Sequence, residues 1–156
     1  MKKLSIFALS MLLIALFFPV LFHSCEHSEI EDAVNEDVLF TYISACGWCA
    51  GSEELNIRGN EASYQYHAVC DNPSKSSELE LSTEQLEALN LSYLFHQLQS
   101  MNLDECGVCV DGCDEQLRFE TENQEFFIRF TNDDSLGTII SELEQIRLLV
   151  DQMRNE

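Results

Sequence analysis

From Val38 onward, apolar residues alternate with polar ones in short runs, and this period of two predicts strands. Val38 to Ser44 is rich in β-branched and aromatic residues and reads as a first strand. Glu54 to Arg58 sets Leu55 and Ile57 on one face, Gly59-Asn60 makes a turn, and Ala62 to Val69 alternates again with Tyr64 and Tyr66 together. Asp71 to Ser74 is a loop, and Leu79 and Leu81 mark a short further strand. Later, Gln116 to Glu120 and Glu125 to Thr131 form a hairpin around Thr121-Glu122-Asn123. Leu117 pairs with Phe119 on one side of it, and Phe126 with Ile128 and Phe130.

Two stretches change to the helical period. Ser82-Thr83-Glu84-Gln85 is a capping box, with Leu81 and Leu86 at the spacing of a hydrophobic staple. The helix it opens is expected to run to about Met101, burying Leu91, Leu94, Phe95 and Leu98. A last helix is expected from near Asp134, with Leu136, Ile139, Ile140, Leu143, Ile146, Val150 and Met153 as its apolar stripe. Arg147 and Arg154 suit the negative end of its dipole. Strands, helix, hairpin, helix is the order of an α+β fold: an antiparallel sheet of five or six strands with two helices packed on one face.

The start of the chain follows neither period. Met1-Lys2-Lys3 is a short positive stretch, and Leu4 to Phe22 is almost wholly apolar, ending in Leu21-Phe22-His23-Ser24-Cys25. That layout is an export signal and not a piece of the fold. A small residue before a cysteine at the end of the apolar run resembles the lipobox of bacterial lipoproteins. The resemblance covers this segment alone and departs from the usual pattern at Phe22 and His23. It implies cleavage before Cys25, acylation of that cysteine with fatty chains such as palmitate, and a lipid-anchored protein of the cell envelope. The competing reading is an uncleaved anchor, since the run approaches the roughly 20 residues that cross a bilayer, but a spanning segment has no need of a terminal cysteine. Residues 1–24 are therefore read as signal peptide.

Glu26 to Asp37 carries six acids, no Lys or Arg and scattered apolar residues. Like charge at that density keeps a chain extended, so 25–37 reads as a tether and 38–156 as one domain. In some lipoproteins an Asp directly after the acylated cysteine resembles an inner-membrane retention signal; Glu26 in its place points to the outer membrane.

The whole chain carries a formal charge of −20; without Lys2 and Lys3, 6 basic residues stand against 28 acidic ones, or −22. This field repels nucleic acid and attracts cations or basic partners, so nucleic-acid binding is excluded.

Apart from Cys25, six cysteines form two clusters of three: Cys46, Cys49 and Cys70, then Cys106, Cys109 and Cys113. An even count in an exported chain predicts disulfides. If all six pair, an odd number of bridges must join the clusters, so at least one links the two halves of the domain. Strand ends at Cys46 and Cys70, with a helix returning to the same edge, would gather all six at one end, together with Asp71, Asp104, Glu105, Asp111, Asp114 and Glu115.

Four chemistries compete with a plain disulfide staple. Cys46-Gly47-Trp48-Cys49 has the C-x-x-C spacing of thioredoxin-like redox sites. No long helix follows it, and nearby carboxylates raise a thiol's pKa instead of lowering it. The papain-type protease pattern needs a His well over a hundred residues downstream and fails, since the domain's only histidines are His67 and His96. Cys46/Cys49 with Cys106/Cys109, or His67-x-x-Cys70, has zinc-ligand spacing, but such thiols oxidise outside a reducing cytoplasm. Calcium among Asp104, Glu105, Asp111, Asp114 and Glu115 lacks any EF-hand spacing. Serine-hydrolase, metalloprotease and phosphate-loop motifs are missing.

No cofactor, metal or catalytic residue is assigned. The sequence points to a disulfide-stabilised envelope domain that binds an unknown envelope protein or small ligand, with Trp48 as the candidate contact residue. A thiol–disulfide oxidoreductase acting through Cys46 and Cys49 is the alternative, and a metal-binding module the third reading.

Overall fold

A computed structural model describes residues 38–47, 51–70, 73–106 and 112–156, all within a compact unit from Asp32 to Glu156. The signal, the tether, Cys25, Trp48, Cys49 and Cys109 lie outside the described residues. The strands are β1 (Leu39–Cys46), β2 (Ser52–Arg58), β3 (Glu61–His67), β4 (Lys75–Glu80), β5 (Cys113–Glu120) and β6 (Glu125–Phe130). The helices are α1 (Thr83–Leu89), α2 (Leu91–Ser100) and α3 (Ile140–Asn155). All six strands form one antiparallel sheet in the order β4-β3-β2-β1-β5-β6, as the alternation predicted. No helix among the described residues is long and apolar enough to cross a membrane.

The first strand lies at the centre. Three strands, β2 to β4, meander outward from β1, α1 and α2 carry the chain back, and β5 closes on the other side of β1. Because successive side chains point to opposite faces, the register decides which rows are apolar. Phe40 stands between Ile57 and Phe119, and Tyr42 between Leu55 and Leu117, all buried. Ala62, Tyr64, Ile128 and Phe130 extend the same face to both sides. All three helices pack on it. Phe95 of α2 meets Phe119 and Phe126 edge-on at 5.3 and 5.5 Å, and Leu143, Ile146, Val150 and Met153 of α3 are buried there. Each such side chain removed from water is worth about 1.5–3 kcal/mol.

The first predicted helix is present in two pieces. The capping box forms as expected: Gln85 N–H donates to the Ser82 hydroxyl, and Gln85 Oε1 accepts from Ser82 N–H. The helix then breaks at Asn90, which adopts the left-handed conformation at φ 46°. The reason lies in the leucines. At 3.6 residues per turn, Leu86 and Leu89 would sit about 140° round a straight helix from Leu91, Leu94 and Leu98. The break reorients the second piece so that Leu89, Leu91, Leu94 and Leu98 all enter the core.

The last helix begins later than the sequence suggests. Two short 3-10 turns, Asp133–Ser135 and Gly137–Ile139, precede α3, and Gly137 at φ 53° prevents a continuous helix from Asp134. Leu136, between the two turns, and Ile139, at the end of the second, are nonetheless buried.

Asn tolerates the left-handed conformation where a β-branched residue does not. Asn90→Gly should leave the urea midpoint near its starting value. Asn90→Val should lower stability by about 1–2 kcal/mol, through the cost of that conformation alone.

Candidate functional site

Two regions of the domain concentrate polar chemistry: the cystine end of the sheet and the sheet's uncovered face. At the cystine end, Cys46 closes β1 and Cys113 opens β5, opposite one another in the ladder and joined by a disulfide across 67 residues of sequence. The bond links the first cysteine cluster to the second, as the count required. Closing a loop of that length removes about 4 kcal/mol of unfolded-state entropy. Cys70 and Cys106 are disulfide-bonded as well. Gly51, at φ 82°, passes so close to β3 that a Cβ there would lie 2.6 Å from the His67 carbonyl oxygen.

Of the acidic residues expected here, Asp104, Glu105, Asp114 and Glu115 do gather at this end, and three of them have partners of their own. Asp104 accepts from Arg129 at 2.6 and 2.8 Å, and Glu105 accepts from the Thr131 amide and hydroxyl. Asp114 is buried on the sheet's other face, and Glu115 is paired with Arg147. Among the described residues no group of three or more His, Cys, Asp or Glu is placed to hold a metal ion. Asp71 and Asp111 lie outside the described residues. His67 is half exposed and 3.8 Å from Glu54, while His96 is exposed with its ring against Phe95.

Sequence reading missed the most developed polar arrangement. Glu53 and Glu115 share the face of the apolar strand positions and flank Ser44 in a single row of the sheet. Arg147 of α3 forks onto Glu115 at 2.6 and 3.1 Å and onto Asp133 at 2.8 and 3.0 Å. Arg154 forks onto Glu53 with two bonds of 2.6 Å and also reaches Asp151 at 2.8 Å. Each glutamate takes one tyrosine hydroxyl as well: Tyr42 donates to Glu115 at 2.7 Å, and Tyr64 to Glu53 at 2.8 Å. The result is two parallel Tyr–Glu–Arg–Asp chains. Arg147 is therefore a mid-helix clamp and not a dipole partner at the helix end.

The electrostatics follow from this geometry. Burial first, then the Glu115 carboxylate, pushes Tyr42 far above the ordinary 10.0. Burial and the hydrogen bond to Glu53 push Tyr64 up to about 12. Both tyrosines are thus permanent donors at neutral pH, not proton shuttles. Hydrogen bonds to Asp133 and Glu115 raise Arg147, and Arg147 in turn holds Asp133 below its ordinary 3.8. These groups bind the helix to the sheet.

No helix among the described residues lies over the opposite face of the sheet, although Thr41 and Asp114 are buried there. Across β2, β3 and β4 it presents a trough of about 640 Å³, lined by Asn56, Arg58, Glu61, Ser63, Glu78 and Glu80 among others. An adjoining hollow of about 430 Å³ runs past Gln65 and Ser76. Towards β6 the same face carries Phe127, half exposed beside Arg118. Here are amides, hydroxyls and carboxylates in open rows, a surface equipped to hydrogen-bond and to pair with cations. No protein-family model and no curated protein matches the chain.

The clamp makes two outcomes measurable. Arg147→Met strands Glu115 and Asp133 without their cation. It should cost about 2–3 kcal/mol, below the ~3–5 of a fully buried pair, because the Arg147 and Glu115 side chains keep 32% and 21% of their surface exposed. Asp133 has a depressed folded pKa, so the unfolded chain binds its proton first. Its contribution is complete above the ordinary carboxylate range and is lost as pH falls through it. Asp133→Asn should therefore flatten the loss of stability between about pH 5 and pH 2, read from urea midpoints across that range.

Proposed function

We propose that the chain is a lipoprotein of the bacterial cell envelope, held in the outer membrane by lipid on Cys25, whose domain binds a protein or small ligand and does no catalysis. The observation that carries the binding half is the polar surface across β2, β3 and β4, with its trough of about 640 Å³. On the face away from the helices, β3 and β4 present exposed Ser63, Gln65, Ser76 and Glu78, and these suit contact with a polar or cationic partner. The Tyr–Glu–Arg chains are fully occupied with one another, and the four described cysteines are all in disulfides, which suits a scaffold more than a reacting centre. Trp48, two residues past β1 in sequence, is proposed as an additional contact residue. The anchor half rests on the Met1–Cys25 pattern.

The intact mass of the membrane-purified protein, with thiol alkylation before and after reduction, tests both halves. The expected result is a mass beginning at Cys25 plus acyl chains, no alkylation before reduction and six sites after it. A full-length unacylated chain would sink the lipid anchor. Alkylation of Cys46 and Cys49 before reduction would replace binding with thiol chemistry.

A further inference from the structure

We propose that β4 is a docking edge at which a basic, extended segment of a partner adds to the sheet as a further strand. The inference rests on the binding reading above and gives the partner its chemistry.

The two edges of the sheet differ. The outer edge of β6 is covered by Leu103–Glu105: Arg129 N–H donates to the Leu103 carbonyl at 3.0 Å, and Glu105 N–H to the Arg129 carbonyl at 2.9 Å. Among the described residues, the outer edge of β4 has neither a strand beside it nor a backbone hydrogen bond on that side. An open edge is a template for an added strand.

Such a strand points alternate side chains to the two faces of the sheet, and there is room for them on both. On the open face lie the trough and its neighbouring hollow, both reaching Glu78. On the helix face a separate hollow of about 350 Å³ lies between Lys75, Ser77 and the end of α3 at Met153 and Glu156. The Ser77 hydroxyl donates to the Met153 carbonyl at 2.9 Å, which keeps the helix end lodged beside the edge.

Charge selects the occupant. On the open face β4 presents Ser76, Glu78 and Glu80 in turn, and Glu61 of β3 stands directly opposite Glu80. Facing carboxylates across a ladder are unfavourable, and a cation placed beside them relieves the repulsion. A strand with Lys or Arg at alternate positions would set those cations against Glu78 and Glu80. The same charge disfavours other occupants: a second copy of a chain at −20, or its own tether with six acids, meets like charge.

The test uses the detergent-solubilised full chain and two decapeptides, one alternating lysine with threonine and one alternating glutamate with threonine. The lysine peptide should bind, and amides of β4 should gain protection from hydrogen exchange. Binding should weaken about 10-fold in Glu61→Lys/Glu78→Lys, where attractive contacts become repulsive. Both positions are exposed, so the variant should fold. A lysine peptide N-methylated on alternate residues should bind about 10-fold more weakly, because strand addition needs its amides. Equal binding of the methylated peptide, equal binding of the two charge patterns, protection away from β4, or no binding at all would each overturn the docking edge. None of these results alters the mass measurement, so the edge and the anchored-domain reading fail separately.

Discussion

Glu53 and Glu115 determine where α3 lies, and much else follows from that helix. The two carboxylates stand two strands apart in one row, about 9.6 Å at the usual spacing between strands. Arg147 and Arg154 are seven residues apart, about 10.5 Å along a helix. The near match means that a helix crossing the strands can fork onto both carboxylates at once. In that position it lowers Leu143, Ile146, Val150 and Met153 onto the apolar rows. Neither ion pair is strong evidence of stability by itself, since partial burial costs each charge hydration. Their contribution is to specify one placement of the helix, with the tyrosine hydroxyls filling the remaining acceptor sites.

With α3 fixed, and α1 and α2 packed on the same face, the other face of β3 and β4 is left exposed. The asymmetry extends to the sheet's edges. Leu103–Glu105, between α2 and β5, pass along β6 and cover it, whereas β4 lies at the border with no strand among the described residues on its outer side. The polar trough and the open edge therefore share a cause: the single crossover between β4 and β5 runs over the core face and away from both. Acidic residues on this border also guard against self-pairing, which is how exposed edges are commonly protected.

Much of the fold could be read from local pattern. Alternation located the strands, and the capping box marked the start of α1. Helical spacing of leucines and isoleucines marked both helical regions. The break at Asn90 was also legible, because Leu86 and Leu89 disagree in angle with Leu91, Leu94 and Leu98. It was missed because all five sit in one uninterrupted helical run of good helix formers, where no Gly or Pro signals a stop. The tyrosine–glutamate–arginine chains left a fainter trace. Glu53 and Glu115 occupy the same parity as Leu55 and Leu117, so they are charged residues at inward-facing positions. An inward charge implies a partner but does not name it.

What the sequence alone determined is what depends on neighbours along the chain: element type, the apolar face of each element, the acidic balance, and the need for a bridge between the two cysteine clusters. Tertiary structure decided that Cys46 bonds Cys113, that the two arginines of α3 clamp β5 and β2, and that β4 is the open edge. These depend on which strands lie side by side and on where the helices cross them. Strand order arises from residues far apart in sequence burying one shared apolar face, and no local period encodes it.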